Sequence, residues 1–207
     1  MSVPQPNRSV IKVGGSLFDW PELPQRLEAF LAERLAWGEQ LAIVFGGGPA
    51  ADWVRSLDRV HGLGEEQAHR LALRALDFTA EAAMALLPRG NWMTAATVAE
   101  IEAAWRRGRL PVARPREFLD DDERAYPEDA LPHRWSVTTD SIAARLATRL
   151  RARLWLLKSA ELGPEIADRD AAARAGLVDD AFPRAAQTLS SVMFLNLREA
   201  PLAPRPF

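Results

Sequence analysis

Two glycine-rich turns contain the residues of this chain that are best suited to chemistry. The first lies in Lys12-Val13-Gly14-Gly15-Ser16 and the second in Gly46-Gly47-Gly48-Pro49, and each follows a short apolar run. Glycines at the ends of strands let backbone N–H groups crowd around an anion, because no Cβ blocks the approach. Lys12 adds a positive charge to the first turn. The pattern therefore predicts a site that binds or transfers phosphate.

Two charged residues further along the chain could complete such a site. Asp140 falls in the first turn of a predicted helix, where the helix dipole favours its ionised form. It could orient Lys12 or hold a metal-bound water. Lys158 ends the apolar run 154–157, at the edge of an open α/β sheet where ligands bind. Each also has a structural explanation, because an acid is common at a helix start and Lys158 could be a surface lysine.

Other chemistries are less well supported by the sequence. Gly46, Gly48 and Ala51 fit a loose dinucleotide-binding pattern, but the acid expected after the next strand is missing, which disfavours an NAD(P)-dependent oxidoreductase. The histidines have no metal-ligand spacing. The acidic run Asp120–Glu123 is predicted to be a solvated charge run, with Ca²⁺ or Mg²⁺ binding as the alternative.

Composition excludes several classes of function. The 207 residues suit one domain with a substantial core, and the net charge of -2 gives no electrostatic case for nucleic acid or an anionic membrane. The absence of cysteine excludes disulfides and thiolate sites. No apolar run approaches the roughly 20 residues that span a bilayer, and the polar start of the chain lacks a signal-peptide pattern. We therefore expect a cytoplasmic protein with no nucleic-acid or membrane partner.

Short apolar runs alternate with amphipathic stretches, which predicts a mainly parallel sheet covered by helices. The longest predicted helix, over 65–87, is expected to bury one apolar stripe. Residues 114–134 are charged and proline-rich and are expected to form an exposed flap over a site, and the tail from Pro201 is expected to fray. The strands are predicted at 9–13, 41–45, 92–94, 110–113, 154–157 and 190–197, the other helices at 21–37, 49–57, 98–105 and after a capping Thr139, and the stripe consists of Leu71, Ala75, Phe78, Ala82 and Leu86.

Three segments together resemble the amino acid kinase superfamily: Lys12–Ser16, Gly46–Gly48 and Thr138–Ala143. Within it, Ile43–Arg55 with Ala68-His69 and 135–143 is similar to a short branch that contains the aminomethylfuran-methyl phosphate kinase of methanofuran biosynthesis. The resemblance implies a three-layer αβα sandwich. It also implies one domain over 1–207, with an acceptor-binding lobe in 1–135 and a shortened nucleotide-binding lobe in 136–207.

The resemblance further implies the reaction and its residues. A kinase of this kind transfers the γ-phosphoryl group of ATP, with Mg²⁺, to a phosphate or carboxylate acceptor on a small anionic molecule, and this branch implies C1 cofactor biosynthesis and a homo-oligomer. Lys12 would hold the transferring group, and Asp140 would lie between Lys12 and a second cation. That cation would be Lys158, or Arg184 because Gly176–Asp179 resembles the segment before a phosphate-binding lysine. The phosphate contacts would be Gly14, Gly15, Ser16, Gly47, Gly48 and Lys158, and the acceptor would meet Gly46, Arg55 and His69.

One segment departs from the family pattern. Many relatives carry Thr-Asp-Val-Asp-Gly where this chain has Lys158-Ser159-Ala160-Glu161-Leu162. That segment helps to build the nucleotide site of the relatives. The alternative function is therefore a non-catalytic ligand-binding protein on the kinase scaffold. From the residues alone, Ser16 could equally cap a helix and Arg55 could equally face solvent.

Overall fold

The computed structural model describes residues 7–87 and 91–206, so that residues 1–6, 88–90 and Phe207 lie outside the described residues. One sheet runs through the molecule. Its strands are β1 (Arg8–Val13), β2 (Gln40–Phe45), β3 (Trp92–Ala95), β4 (Leu110–Ala113), β5 (Arg153–Lys158), β6 (Val192–Asn196) and β7 (Arg205–Pro206). They lie in the order β3-β4-β2-β1-β5-β6-β7. Neighbouring strands are parallel except β6 and β7, which pair in antiparallel fashion.

Helices cover both faces of this sheet. They are α1 (Leu23–Ala36), α2 (Gly48–His61), α3 (Glu65–Leu86), α4 (Val98–Arg106), α5 (Pro115–Ala125), α6 (Thr139–Leu150), α7 (Arg169–Arg174) and α8 (Phe182–Ala185), with 3-10 turns at Gly15–Leu17 and Pro127–Asp129. One core joins alternate strand residues to α4 through α8, and a second core joins the others to α1 and the end of α3. The predicted three-layer αβα sandwich is confirmed.

The strands are apolar along nearly their whole length because both faces are covered. In β1 the side chain of Val10 enters one core and that of Ile11 enters the other, as the two-residue period of a strand requires. Lys12 follows in this buried run and is 4 % exposed. An ammonium in such a position needs a partner, because an unpaired buried charge is costly.

The charged stretch 114–134 is not the exposed flap that was expected. Most of it forms α5, which begins at Pro115 and buries Phe118 and Leu119. Asp122, expected to be solvated, is 5 % exposed and lies 2.6 Å from Nε of Arg145. Two apolar residues in a charged sequence give little periodicity, but they suffice to attach the helix to the core.

Three smaller expectations also change. Helix α3 buries Ala68, Leu73 and Leu76, and not the predicted stripe, in which Phe78 is 63 % exposed. Thr138, and not Thr139, caps α6, by accepting a hydrogen bond from the backbone of Asp140. The tail is not wholly frayed, because β7 pairs with β6. In each case tertiary contacts decide between positions that the sequence pattern leaves nearly equal.

Candidate active site

The two glycine turns pack directly against each other at the carboxyl ends of β1 and β2. A Cβ built on Gly15 would lie 2.3 Å from the nitrogen of Gly48, and one on Gly46 would lie 2.5 Å from the nitrogen of Gly15. Neither position has room for a side chain, and Gly48 also has a positive φ of 47°. Backbone therefore meets backbone here, and the N–H groups of both turns are brought into one region.

The first turn is also tied to β5 on its other side. The backbone nitrogen of Gly14 donates to the carbonyl of Leu157 at 2.8 Å. The hydroxyls of Ser16 and Ser159 lie 2.7 Å apart, so that the turn after β1 is joined to the loop after β5. The predicted phosphate-binding residues Gly14, Gly15 and Ser16 thus lie between β2 and β5, at one edge of the sheet.

Asp140 lies between the two lysines at this edge. Its Oδ1 is 2.9 Å from Nζ of Lys12, and its Oδ2 accepts a hydrogen bond of 2.7 Å from Nζ of Lys158. The three side chains are at most 13 % exposed. Lys12 and Lys158 stand near the ends of adjacent parallel strands, with Asp140 in the first turn of α6. Two cations and one anion are therefore held together in a nearly dry environment.

The use of lysine at these two positions is unusual for this chain. Its 26 basic residues include only two lysines, Lys12 and Lys158, and the rest are arginines. A lysine ammonium is a compact point charge, whereas a guanidinium is a planar fork that needs more room and a fixed orientation. The cluster around Asp140 uses the compact cation at both positions. The rarity of lysine in this chain is a compositional signal that distinguishes Lys158 from an ordinary surface lysine.

Burial and neighbouring charges set the protonation of the cluster. Burial opposes ionisation of Asp140, but Lys12 and Lys158 outweigh it and lower the pKa of Asp140 to about 2. Burial lowers the pKa of Lys158 to about 8; Asp140 raises that pKa and Lys12 lowers it further. At neutral pH Asp140 is thus ionised, and Lys158 is protonated but close to its titration range.

We expect this lowered pKa to be directly measurable, because ¹³C-labelled lysine gives only two side-chain signals in this protein. The Cε signal of Lys158, assigned from its loss in Lys158→Arg, should titrate near pH 8, against 10.5 for an unperturbed lysine. Between these values the unfolded chain binds more protons, so that the contribution of Lys158 to stability rises with pH. The urea-unfolded protein is the control. A native midpoint at or above pH 10 would contradict the buried cluster.

Asp179 fixes the helix start that carries Asp140, and the sequence did not identify it. Its Oδ2 accepts hydrogen bonds from the backbone of Thr138 at 2.9 Å and of Ser141 at 3.1 Å, and from the hydroxyl of Thr138 at 2.7 Å. The hydroxyl of Ser141 donates to its Oδ1. Burial, with a contribution from Asp140, raises the pKa of Asp179. A carboxylate from a distant segment thus binds the free N–H groups of α6.

A cavity of about 290 Å³ opens beside the glycine turns. Both turns line it, and so do the predicted acceptor residues Gly46, Arg55 and His69. Its remaining wall is largely apolar and consists of Ala51, Ala72, Leu73, Leu76, Val137 and Ile142, with Asp52, Trp135, Thr138 and Thr139. No residue of the expected flap 114–134 is among the lining residues. The nearest residues in sequence that do line the cavity are Trp135 and Val137.

Three contacts fix the side chains of Trp135 and Arg55 at the cavity mouth. The indole nitrogen of Trp135 donates to Asp58 at 2.7 Å, and the guanidinium carbon of Arg55 lies 4.9 Å from the Trp135 ring centroid. Arg55 also pairs with Asp52 at 2.8 Å. Arg55 is therefore a half-exposed cation held over an aromatic face, in a position to meet an anion that enters the cavity.

His69 is a neutral group of the cavity wall. It is 4 % exposed and its ring is stacked on that of His133, with centroids 5.2 Å apart. Burial and His133 lower the pKa of His69 to about 4, against a smaller raising effect from a backbone hydrogen bond with Arg134. At neutral pH it therefore offers hydrogen bonds and no charge.

Arg184 is not brought into this group. It lies on the exposed side of α8, and no ion pair or hydrogen bond between described residues joins it to Asp140 or the lysines. Lys158 occupies the place beside Asp140 that Arg184 could have taken. Within the described ranges, no three His, Asp or Glu side chains come together as a metal site. None of the helices in these ranges has the length and apolarity needed to span a bilayer.

A parallel sheet that presents buried lysines and glycine turns at the carboxyl ends of its strands has the donor groups and the charge that suit an anion. The chain belongs to the amino acid kinase family, whose model matches residues 7–161.

A curated relative is the [5-(aminomethyl)furan-3-yl]methyl phosphate kinase of Methanocaldococcus jannaschii, which is 23 % identical over 145 residues. The alignment covers 70 % of this chain and 62 % of the relative, so that the chain matches less than two thirds of the relative's length.

Solved structures of kinases share the fold. UMP kinase from Bacillus anthracis superposes with a TM-score of 0.65 at 14 % identity, covering 97 % of this chain and 98 % of that one. Aspartate kinase from Synechocystis gives 0.64 at 14 % identity, covering 93 % of this chain and 38 % of that one. Uridylate kinase from Archaeoglobus fulgidus gives 0.53 at 19 % identity, covering 78 % and 69 %. At these identities the likeness shows the fold alone.

Proposed function

We propose that the protein is an ATP-dependent kinase that transfers the γ-phosphoryl group to a phosphate or carboxylate group of a small molecule. The observation that carries this proposal is the pair of buried lysines held by Asp140 beside the two glycine turns. Phosphoryl transfer needs positioning and charge neutralisation more than covalent chemistry by the protein. Two ammonium groups and a set of backbone N–H donors supply both.

Each residue of the cluster has a role in this proposal. The ammonium of Lys12 binds oxygens of the transferring group, and that of Lys158 binds the phosphate oxygens on the leaving side. Asp140 does not touch the substrates but holds both lysines at fixed positions. The N–H groups of Gly14, Gly15, Gly47 and Gly48 donate to phosphate oxygens, which suits a turn where no Cβ intervenes. The preformed arrangement avoids reorganisation when charge develops in transfer.

The acceptor needs no general base in this mechanism. A phosphate or carboxylate oxygen is already ionised at neutral pH, so that it attacks phosphorus while the bond to the ADP oxygen breaks, and no proton has to be removed. This agrees with the neutral state of His69, whose pKa of about 4 leaves it an uncharged hydrogen-bonding group. Arg55 at the cavity mouth supplies the positive charge that attracts such an acceptor.

ATP would bring Mg²⁺ to the site, and the residues present suit a metal held mainly by phosphates. Among the residues that the structure describes, no carboxylate cage exists and Asp140 already binds two lysines. Mg²⁺ in kinase sites is commonly bound by substrate phosphates and only one or two carboxylates. We further propose that 1–135 binds the acceptor and 136–207 binds the nucleotide.

The curated relative suggests which acceptor to test. Its name specifies a phosphate monoester that carries an aminomethyl-substituted furan ring. A cavity of about 290 Å³ with an apolar wall, Trp135 and the cation of Arg55 suits a small ring compound with one phosphate. We therefore propose [5-(aminomethyl)furan-3-yl]methyl phosphate as the first acceptor, and a role in C1 cofactor biosynthesis.

The deciding experiment combines calorimetry with a turnover assay. Titration of the protein with ATP and Mg²⁺ should show binding, and incubation with ATP and the furan phosphate should release ADP and form a diphosphate. ATP binding without turnover on any phosphate or carboxylate acceptor would favour a binding protein on the kinase scaffold. No ATP binding would remove the kinase proposal, and the altered segment Lys158–Leu162 would be the first place to seek the cause.

Arg55→Ala should raise the KM for the acceptor by about tenfold, with little change in the KM for ATP. Tenfold corresponds to about 1.4 kcal/mol, near the lower end of the about 1.5–3 kcal/mol typical of a hydrogen bond to a charged group, as expected at a partly exposed site. Arg59→Ala is the matched control, because Arg59 is an exposed arginine on the same helix and does not line the cavity. Equal increases in both KM values for Arg55→Ala would place Arg55 outside the acceptor pocket.

A further inference from the structure

A second cavity lies at the amino ends of the central strands, opposite the carboxyl ends that carry the lysine cluster. Arg8 and Arg153 are the first residues of β1 and β5, whose other ends carry Lys12 and Lys158. The cavity has a volume of about 850 Å³. It is therefore separated from the glycine turns by the length of these side-by-side strands, and it is not an extension of the proposed active site.

Basic and hydroxyl side chains line this cavity. Three arginines contribute to the wall, and none of the lining residues is an aspartate or a glutamate. The other polar lining residues are Asn7, Thr148, Thr188, Ser190 and Ser191. The protein, whose net charge is -2, thus has a concave surface with three guanidinium groups, four hydroxyls and an amide.

Two of the three guanidinium groups are held in place by their neighbours. That of Arg8 donates to the carbonyl of Leu150 at 3.3 Å and pairs with Glu102 at 3.1 Å. That of Arg153 donates to the side-chain oxygen of Asn7 at 2.9 Å. Within the described ranges Glu102 is the only carboxylate that pairs with any of the three arginines. Arg151 and Arg153 therefore carry positive charges that no carboxylate of the described residues neutralises.

Arg151 adds a backbone observation that points to the same surface. It ends α6 in the left-handed region with a φ of 51°, and among the described residues no other non-glycine has a positive φ. Glycine is the residue that adopts this conformation without strain at a helix end. An arginine there raises the free energy of the fold, and its side chain lines the cavity. Such strain is common where a side chain serves a ligand site.

We propose that this cavity binds an anion built of linked phosphate groups, as a site distinct from the glycine turns. Guanidinium groups match phosphate oxygens in a two-pronged geometry, and hydroxyls donate to the oxygens that remain. A volume of about 850 Å³ falls in the range of small-molecule sites and accommodates several linked phosphates. A single phosphate would leave most of the arginines and hydroxyls unused.

Calorimetry with inorganic tripolyphosphate tests the site in the full chain. The parent should show two classes of binding, one at the glycine turns and one in the arginine cavity. The double variant Arg151→Gly with Arg153→Gln should weaken one class at least tenfold and leave the other unchanged. Glycine relieves the backbone strain at position 151, so Arg151→Gly alone should melt at or above the Tm of the parent. A lower Tm of the double variant would then report the contribution of Arg153 to stability.

Matched variants make the outcome specific. Arg74→Gln with Arg106→Gln removes the same charge from exposed positions outside the cavity and should change both affinities less than twofold. Lys12→Ala removes one cation beside the glycine turns and should weaken that class, though by less than it lowers kcat, and spare the cavity class. Failure of the kinase proposal and failure of this one are therefore distinguishable. Unchanged binding in the Arg151 and Arg153 double variant, or an equal loss in the exposed pair, would overturn the site. Citrate binding as tightly as tripolyphosphate would overturn the phosphate assignment.

Discussion

Lys12→Ala is expected to lower kcat for phosphoryl transfer by roughly 10³-fold or more, the size known for cations that stabilise the transferring group in phosphoryl-transfer enzymes. The ammonium of Lys12 is 2.9 Å from Asp140 and stands at the end of β1, beside the glycine turns. Alanine removes the charge and leaves the backbone donors intact. Because the charge counts mainly as transfer proceeds, the effect should fall on kcat more than on the KM for either substrate.

Steady-state kinetics with coupled ADP detection gives this result directly. Lys12→Met is the companion variant, because it keeps the length of the aliphatic stem in a position that is 4 % exposed and so separates lost charge from lost packing. Asp140 keeps Lys158 as a partner in both variants, so that we expect both to fold. Substantial turnover in either variant would show that Lys12 is a structural lysine.

Asp140→Asn should lower kcat by about 10²–10³-fold and also destabilise the fold. The amide is nearly the same size but cannot neutralise the two ammonium groups. Removing one partner of a buried ion pair typically costs about 3–5 kcal/mol, since the remaining charge stays buried. The two lysines would then repel each other, and the pKa of Lys158 should fall below its present value of about 8. Loss of both activity and stability distinguishes this variant from Lys12→Ala.

Chemical denaturation across a range of pH provides the second measurement on Asp140. The pKa of Asp140 is about 2 in the folded protein, against 3.8 for an unperturbed aspartate. The ionised carboxylate therefore stabilises the fold above pH 3.8, and this contribution is lost as the pH falls through 2. Asp140→Asn should lack this part of the acid dependence. Asp121→Asn, at a half-exposed acid on α5, is the control. Acid profiles that coincide for parent and Asp140→Asn would show that the aspartate is not paired as described.

The sequence predicted the part of the site that is formed by residues close together along the chain. Two runs of glycine after apolar strands are visible without any tertiary information, and the parallel sheet follows from the alternation of strands and helices. The sequence could not show that Gly15 meets Gly48 backbone to backbone, since that contact depends on how β1 and β2 pair. The sequence identifies the glycines, and the pairing of β1 with β2 brings the two turns together.

Residues that act across long separations were harder to predict. Asp179 binds the start of α6 from nearly 40 positions away, and no local pattern marks it as a capping residue. Lys158 does carry a signal in the composition, because this arginine-rich chain has just two lysines and both belong to the cluster. The prediction was wrong for helix α5, because its many charged residues obscure the helical spacing of the few apolar side chains that pack into the core. Arg184 was predicted as the second cation from the resemblance of Gly176–Asp179 to a family segment. In the structure it is exposed on α8, and no ion pair or hydrogen bond between described residues joins it to the cluster.

The contact of Asp179 with α6 sets the order in which the site can form during synthesis. Both glycine turns and Lys12 emerge from the ribosome early, and Asp140 follows. The carboxylate that holds the start of α6 comes 39 residues after Asp140, and β6, which flanks β5, comes later still. A nascent chain therefore lacks the hydrogen bonds that fix the start of α6, and with it Asp140, until Asp179 has left the ribosome. The proposed phosphate site should therefore be acquired only after the segment from Asp179 through β6 has emerged.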